Sequence, residues 1–439
     1  MPAKRAAAAE TVAVGAPSTR SATKKKNAAN GQSGGSIVKT TADPPAPTER
    51  EKKIQNLIVR TIWSVVMIFG FFALLAAGHF WVIALVFGLQ LLAYSEVIAL
   101  ADEPMRQRAL PYGKTLNWYF LASTVYYLYG ETVLYYFEEV LLVDKVLFPF
   151  AIHHRFISYM LYIIGFMMFV STLEKGHYQY QFMQFAFTHV ALLLIIVQAH
   201  FIVKNIMAGM FWFFLPASLV IINDIFAYLC GITFGRTPLI KISPKKTVEG
   251  FVGAWIWTVV IGLALSYFLV QWPYMICPPA DFSLSAFSEF TCTPNPVFVK
   301  QVYAVPAFLQ PLLHRPTLMI EPIHFHVAIM ATFASLSAPY GGFFASGIKR
   351  AFGIKDFGDT IPGHGGITDR MDCQFLMGFF SYMYYSSFIA THKQAVDVVL
   401  ATAISGLSSQ EQVQLVHALQ RYLHNQGHVG KDLLQCIAN

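Results

Sequence analysis

Charge is what this chain has least of. Asp, Glu, Lys and Arg make up 13% of its 439 residues, where a soluble domain carries roughly 25%. Hydrophobic residues reach 55% and aromatic residues 15%, and the mean hydropathy is +0.50. This shortage excludes an ordinary soluble globular protein and predicts a polytopic membrane protein. Cysteine is also scarce: Cys230, Cys277, Cys292, Cys373 and Cys436 are scattered, and none stands in a Cys-x-x-Cys pair. That excludes the usual zinc framework. No DNA- or RNA-binding motif is visible, so the net charge of +7 does not imply nucleic acid. The basic residues sit in the N-terminal tail and in short loops, as the positive-inside bias predicts. Internal repeats of about 20–50 residues are missing, and so is an inverted repeat of the transporter kind. No apolar run opens the chain, so no cleavable signal peptide is expected.

Residues 1–53 are rich in Ala, Lys, Ser, Thr, Gly and Pro without apolar periodicity. They read as a disordered basic cytosolic tail. From Ile54 onwards apolar runs follow in quick succession, near 57–77, 80–100, 118–142, 156–173, 182–203, 206–234, 250–271, 323–345 and 373–392. The expected fold is all-α, a polytopic transmembrane helical bundle of about nine spans, each near the ~20 residues that cross the hydrocarbon core. Residues 54–205 would form N-terminal transmembrane helices and 206–392 a catalytic core. Loop charge places the tail and the loops 101–117, 235–249 and 346–372 on the inner side, and the long segment 272–322 on the lumenal side. Cys277 and Cys292 share that segment and can pair if it faces an oxidising compartment. Residues 393–439 read as an amphipathic C-terminal tail, with a capping box at Ser408 and Glu411 that opens a helix to about His424.

The charge that is present is concentrated. Between two apolar runs, Ser346–Asp372 holds Lys349, Arg350, Lys355 and Arg370, the acids Asp356, Asp359, Asp369 and Asp372, then His364 and a glycine cluster. Charge packed between membrane spans has a solvation cost and marks function. Lys and Arg neutralise phosphates, carboxylates hold Mg²⁺, and glycines let backbone N–H groups approach a ligand. Asp369 and Asp372 share a face if a helix starts there, and such a pair can bridge a hard cation. Charge compensation at a helix N-terminus is the plainer reading of that pair, and interfacial snorkelling that of Lys349 and Arg350. Pro362-Gly363-His364-Gly365-Gly366 is an ordinary turn elsewhere and reads here as a phosphate cradle. A second cluster lies upstream. Asp224 sits within an apolar run, where a carboxylate needs a partner or a cation, and Tyr228 shares its helix face. Ser243, Lys245, Lys246 and Thr247 precede an apolar helix and suit an anion seat at its N-terminus; a topology signal would also explain the lysines. Both clusters fall on the predicted inner side. The residues by themselves lead to a membrane enzyme that acts on a nucleotide or phosphate and a lipid. An organic-anion transporter competes with that reading, although transporter sites usually lie near the midplane.

These residues resemble the signature of the phosphatidate cytidylyltransferases, or CDP-diacylglycerol synthases. Its elements stand here as Ser346-x-x-Lys349-Arg350, Lys355-Asp356, Pro362-Gly363-His364-Gly365-Gly366 and Asp369-Arg370-x-Asp372. Asp224, Tyr228, Gly231, Gly235, Ser243-Pro244-Lys245-Lys246-Thr247 and Glu249-Gly250 look like the family's second block. The resemblance is detailed over about 205–392 and general over 57–205, and it is closest to the eukaryotic type. It implies the reaction of CTP with phosphatidate to CDP-diacylglycerol and pyrophosphate in phospholipid biosynthesis, with Mg²⁺ as cofactor and room for a second cation. Asp369 and Asp372 would hold the cation, with Asp356 and Asp224 nearby. Lys349, Arg350 and Arg370 would complete the catalytic set by contacting phosphates. Ser243, Lys245, Lys246, Ser346, Lys355, His364, Gly365 and Gly366 would bind substrate. The implied partners are CTP, phosphatidate, membrane lipids and a second copy of the chain. The implied address is the endoplasmic reticulum membrane, with the site facing the cytosol and the mitochondrial inner membrane as the alternative. Two positions depart from the pattern: Gly342 stands where bacterial members often have an acid, so a third metal carboxylate would come from Asp224 or Asp356, and Val248 replaces an aromatic residue. A CTP-dependent polyprenol (dolichol) kinase could share the acidic and glycine-rich parts. CDP-alcohol phosphotransferases lack support, since their Asp-Gly-x-x-Ala-Arg block is absent.

Overall fold

Within hydrocarbon an apolar run must satisfy its backbone internally, and a helix is the only single-segment solution. A helix falls on every predicted span. The structure, a computed structural model, describes residues 49–107, 112–136, 150, 153–279, 285–289, 292–304, 310, 316–390, 400 and 403–426. The predicted tail therefore lies outside the described residues as far as residue 48, and its last residues already belong to the first helix. The helices are α1 (Glu49–Ala77), α2 (His79–Gln107), α3 (Gly113–Tyr136) and α4 (His154–Ser171). Next comes α5, which runs Tyr178–Ala191, passes through a π-helical turn at Leu192–Val197 and ends as Gln198–Ala208. Then follow α6 (Phe211–Phe234), α7 (Val248–Leu269), α8 (Ile323–Leu336), α9 (Pro339–Ala351), α10 (Thr368–Phe388) and α11 (Ser409–Asn425).

Among the described residues, seven helical stretches are long and apolar enough to cross a membrane, with α8 and α9 forming one stretch, Ile323–Ala351. The helices α3 and α10 are diluted by polar side chains, among them Lys114, Asn117 and Glu131 in α3 and Asp369, Arg370 and Asp372 in α10. The chain is an integral membrane protein. Its core lies where α2, α5, α6, α7, α8 and α10 meet, and Tyr94, Ile196, Leu215, Ala254, Ala331 and Met377 are fully buried there. By contrast α1 exposes Leu57, Ile58, Val65, Phe69 and Phe72. With no hydrophobic drive between helices in lipid, small residues set close packing. On α7, a methyl group at Gly253 would lie 2.7 Å from Cys230 Sγ of α6.

Two small antiparallel hairpins depart from the all-helical expectation: β1 (Pro238–Ile240) with β2 (Ser243–Thr247), and β3 (Gln301–Ala304) with β4 (Thr317–Ile320). The first lies between α6 and α7, the second between α7 and α8. The second connection is closed by a Cys277–Cys292 disulfide. Tyr274 Oη donates to Leu75 O at 2.5 Å and Ala286 N to Ala76 O at 3.0 Å, which ties the segment to the end of α1. The disulfide spans 15 residues, and closing a loop of that size stabilises the fold by about 3 kcal/mol. The double variant Cys277→Ser/Cys292→Ser is expected to lose about that much. Thermal unfolding in detergent should show a matching fall in Tm, reproduced in the parent protein by reductant. The C-terminal helix α11 starts with the capping box Ser408/Glu411. Hydrogen bonds from the Ser408 hydroxyl and N–H hold the Glu411 carboxyl below its usual range.

Candidate active site

The loop between α9 and α10 carries the glycine-rich motif, and two carboxylates hold it. Glu96 reaches it from α2. Its carboxylate accepts the N–H groups of Ile367 and Thr368, each at 2.9 Å, and the hydroxyl of Thr360. The first N–H groups of a helix have no internal acceptor, and a carboxylate suits the positive end of the helix dipole. Glu96 thus seats the start of α10, while Thr368 Oγ1 donates to Ala93 O at 3.2 Å. The fit admits no side chain: a Cβ at Gly366 would stand 2.7 Å from Glu96 Oε2 and 2.9 Å from Gly358 N. Asp369 is the second anchor. Lys349 Nζ of α9 lies 2.5 Å from its Oδ1, and Phe357 N donates to its Oδ2 at 2.9 Å. The two side chains of this ion pair are 14% and 9% exposed.

Pro362-Gly363-His364-Gly365-Gly366 is a tight turn closed by a bridge between Ile361 and Gly365. Gly363 (φ +74°) and Gly365 (φ +85°) adopt the left-handed backbone that such a turn requires and that glycine reaches at no steric cost. The N–H groups of His364 and Gly365 both bond to Ile361 O, at 2.9 and 3.2 Å. These two N–H groups are spent inside the turn. The His364 ring instead meets α1, with Nε2 3.1 Å from Ser64 Oγ. Arg370 Nη2 donates to His364 O at 2.7 Å, fixing the turn to α10.

The hairpin β1–β2 positions the second cluster. Glu249 Oε2 accepts Arg236 N at 3.0 Å and Thr237 N at 3.1 Å, and its Oε1 accepts the Thr237 hydroxyl. Thr247 Oγ1 accepts Gly250 N at 3.2 Å and caps α7. Lys245 and Lys246 therefore lie on a strand before the cap, where neighbours point to opposite faces. Lys246 Nζ lies 4.7 Å from the centre of the Phe343 ring on α9, and both lysines are exposed. Ser243 is half-buried opposite Ile240.

The two clusters converge. Asp224 on α6 interacts electrostatically with Lys246 and Arg370. Asp372, one turn into α10, interacts with Lys349 and with Asp224. The Asp372 carboxylate packs over Gly342: a Cβ there would be 3.4 Å from Asp372 Oδ2. Gly342 thus lies against Asp372, and Asp224 interacts electrostatically with Asp372. Asp356 is exposed, with Gly365 beside it. Ser346 is half-buried on α9, and Arg350 and Lys355 are exposed. No ion pair joins Lys245, Arg350 or Lys355 to the cluster among the described residues. Sequence reasoning missed Glu96, although a lone carboxylate within an apolar span is itself a signal.

Three metal-ligating side chains do not gather in one place among the described residues. Asp224 and Asp372 lie within electrostatic reach of each other, Asp224 also of Lys246 and Arg370 and Asp372 also of Lys349. Mg²⁺ is commonly held by one or two carboxylates, with substrate phosphates and water completing the shell. The pair fits that mode of binding and does not amount to a closed protein cage.

Comparison with known proteins supplies the chemistry. A family profile described as "Cytidylyltransferase family" matches residues 58–388. A Schizosaccharomyces pombe protein, provisionally named as a phosphatidate cytidylyltransferase, is 55% identical over 86% of this chain and 86% of its own length. The Saccharomyces cerevisiae protein named phosphatidate cytidylyltransferase is 46% identical over 92% of this chain and 88% of its own. In Arabidopsis thaliana, phosphatidate cytidylyltransferase 1 is 42% identical over 88% of this chain and 91% of its own.

Proposed function

Because the chain belongs to the cytidylyltransferase family, we propose that it converts CTP and phosphatidate to CDP-diacylglycerol and pyrophosphate. The observation that carries the proposal is the electrostatic grouping of Asp224, Lys246, Lys349, Arg370 and Asp372. A phosphate oxygen of phosphatidate attacks the α-phosphorus of CTP; that P–O bond forms as the bond to the departing pyrophosphate breaks. Such a transfer depends on positioning and charge neutralisation more than on covalent work by the protein. Lys246 and Arg370 face the anionic groups and draw the two phosphates together against their mutual repulsion. Asp224 and Asp372 would hold Mg²⁺, which when bound neutralises the triphosphate and the charge that grows on the leaving group. Asp369 acts beside them by fixing Lys349 and the loop. The glycine-rich turn sets the position of Arg370 through the His364 carbonyl.

We place this site on the cytosolic face of the endoplasmic reticulum membrane. The disulfide-closed segment follows the far end of α7, away from the site, and disulfides persist in oxidising compartments. A mitochondrial inner membrane would share that asymmetry, and imaging of the tagged full chain separates the two. A homodimer belongs to the same proposal, and its test is the mass of the purified particle. The reaction is tested by supplying CTP, Mg²⁺ and phosphatidate to the purified protein in liposomes. Equal yields of CDP-diacylglycerol and pyrophosphate, dependent on phosphatidate, are expected. Formation of CDP with a phosphorylated polyprenol, and none with phosphatidate, would overturn the proposal in favour of the kinase.

A further inference from the structure

From Leu57 to Leu74 the first helix, α1, buries no residue, so it stands largely clear of the bundle. It meets the rest of the chain along one narrow stripe made by Arg60, Ser64, Phe71 and Leu75. Steps of four, seven and four residues return to the same helix face at about 3.6 residues per turn. At the far end of the stripe, Phe71 packs on Phe213 and Phe214 of α6, with ring centres 6.2 and 6.3 Å away. There Leu75 O and Ala76 O also accept from the disulfide-closed segment. At the near end the stripe meets the glycine-rich turn.

Two side chains make that near contact. The stem of Arg60 lies across Gly363: a Cβ there would stand 2.8 Å from Arg60 Cγ and 3.7 Å from Arg60 Cα. Gly363 therefore serves the approach of α1 as well as the backbone of the turn. Ser64 gives the polar contact. His364 Nδ1 faces Pro362 O at 3.4 Å, and a carbonyl oxygen only accepts. Nδ1 thus carries the ring proton, and Nε2 accepts the Ser64 hydroxyl at 3.1 Å. A hydroxyl inside a helix can return to the carbonyl four residues back, and Thr61 does so, donating to Leu57 O at 3.0 Å. Ser64 spends its proton on the turn. The contact is then passed on, since His364 O accepts Arg370 Nη2 at 2.7 Å and Arg370 acts electrostatically on Asp224.

Resting on the cytidylyltransferase reading, we propose that Ser64 is a positioning residue for Arg370, which makes α1 part of the site. It acts through two hydrogen bonds in series: the Ser64 hydroxyl to the His364 ring, and the Arg370 guanidinium to the His364 carbonyl. Glu96 and Asp369 hold the loop on either side of the turn, and α1 holds the turn itself. Tied at its far end to α6 and to the lumenal segment, α1 is a strut that stops the turn from rocking about its glycines. Arg370 is exposed, so packing does little to fix its long side chain, and the His364 carbonyl sets its direction. Transfer between two anions depends on where such a cation stands.

The test measures kcat and the KM values for CTP and phosphatidate in Ser64→Ala, Ser64→Thr, His364→Ala and the double variant Ser64→Ala/His364→Ala. Ser64→Ala is expected to lower kcat about tenfold with both KM values within about twofold, since misplacing a group by about 1 Å costs up to about 10²-fold. Ser64→Thr keeps the hydroxyl and should restore the parental kcat. His364→Ala keeps the carbonyl and loses the ring, so it should match Ser64→Ala, and the double variant should be no slower than either single one. Parental kcat in Ser64→Ala, an equal loss in Ser64→Thr, or losses that multiply in the double variant would overturn the proposal. A second measurement needs no turnover: amide hydrogen exchange of segment 361–370 in detergent, which reads local opening. Ser64→Ala should exchange faster there alone, and Ser64→Thr at the parental rate. A parental rate in Ser64→Ala, or faster exchange throughout the protein, would overturn the proposal. If the parent protein turns over no CTP with phosphatidate, the reaction reading fails, and the exchange decides the strut on its own.

Discussion

Asp372→Asn is expected to leave the protein folded and membrane-inserted while kcat falls by about 10²–10³-fold or more, the scale seen when one preorganised charge-stabilising group is lost. Asp224→Asn should behave alike, since the two carboxylates stand within electrostatic reach of each other and of the same cations. Replacing either carboxylate by an amide keeps the shape and removes the charge that would hold a hard cation. The check is a Mg²⁺ titration of CTP turnover with phosphatidate, alongside the elution profile in detergent. Turnover should fall and the Mg²⁺ requirement should move to higher concentration, with the elution profile unchanged. Parental turnover in both variants would sink the metal assignment. Asp369→Asn should also lose turnover, but by another route. Its carboxylate bonds Lys349 and the Phe357 N–H, so its loss should lower Tm as well as kcat. A fall in kcat with an unmoved Tm and a raised Mg²⁺ requirement would instead make Asp369 a cation ligand.

The second large effect lies outside the motif. Glu96→Gln is expected to destabilise the protein by about 3 kcal/mol. The carboxylate accepts from Ile367 N, Thr368 N and the Thr360 hydroxyl, and Glu96 is only 8% exposed. An amide presents one acceptor oxygen and turns an N–H₂ towards donors, and each buried donor left unpaired costs about 1–3 kcal/mol. Thermal unfolding in detergent reads the change directly. Activity at low temperature should fall too, because the start of α10 carries Arg370 and Asp372. A variant that melts with the parent would show that water replaces the carboxylate and that α10 is seated by packing alone.

Much of the candidate site was legible because its residues break the local pattern. Asp224 interrupts an apolar run, and the window from Lys349 to Asp372 concentrates charge in a chain that otherwise avoids it. The roles inside that window were less legible. The glycine-rich turn reads as a ligand cradle on composition, yet His364 N and Gly365 N bond within the turn, and Gly366 is small because Glu96 lies against it. A glycine needed for a neighbour's close approach and a glycine needed for a ligand's look the same in one dimension. Lys245 and Lys246 also look equivalent until the fold sets Lys246 over the Phe343 ring.

What the sequence determined by itself was the membrane class, the helical character of the fold and the places where charge concentrates. Each is a local property: a helix satisfies its own backbone within a single apolar run, and charge is conspicuous wherever lipid excludes it. Only the tertiary structure decided which charges meet. Asp224, Lys246, Lys349 and Asp372 come from four different elements, and Glu96 from a fifth. Helix packing distances and rotations set those meetings, and they depend on side chains far apart along the chain.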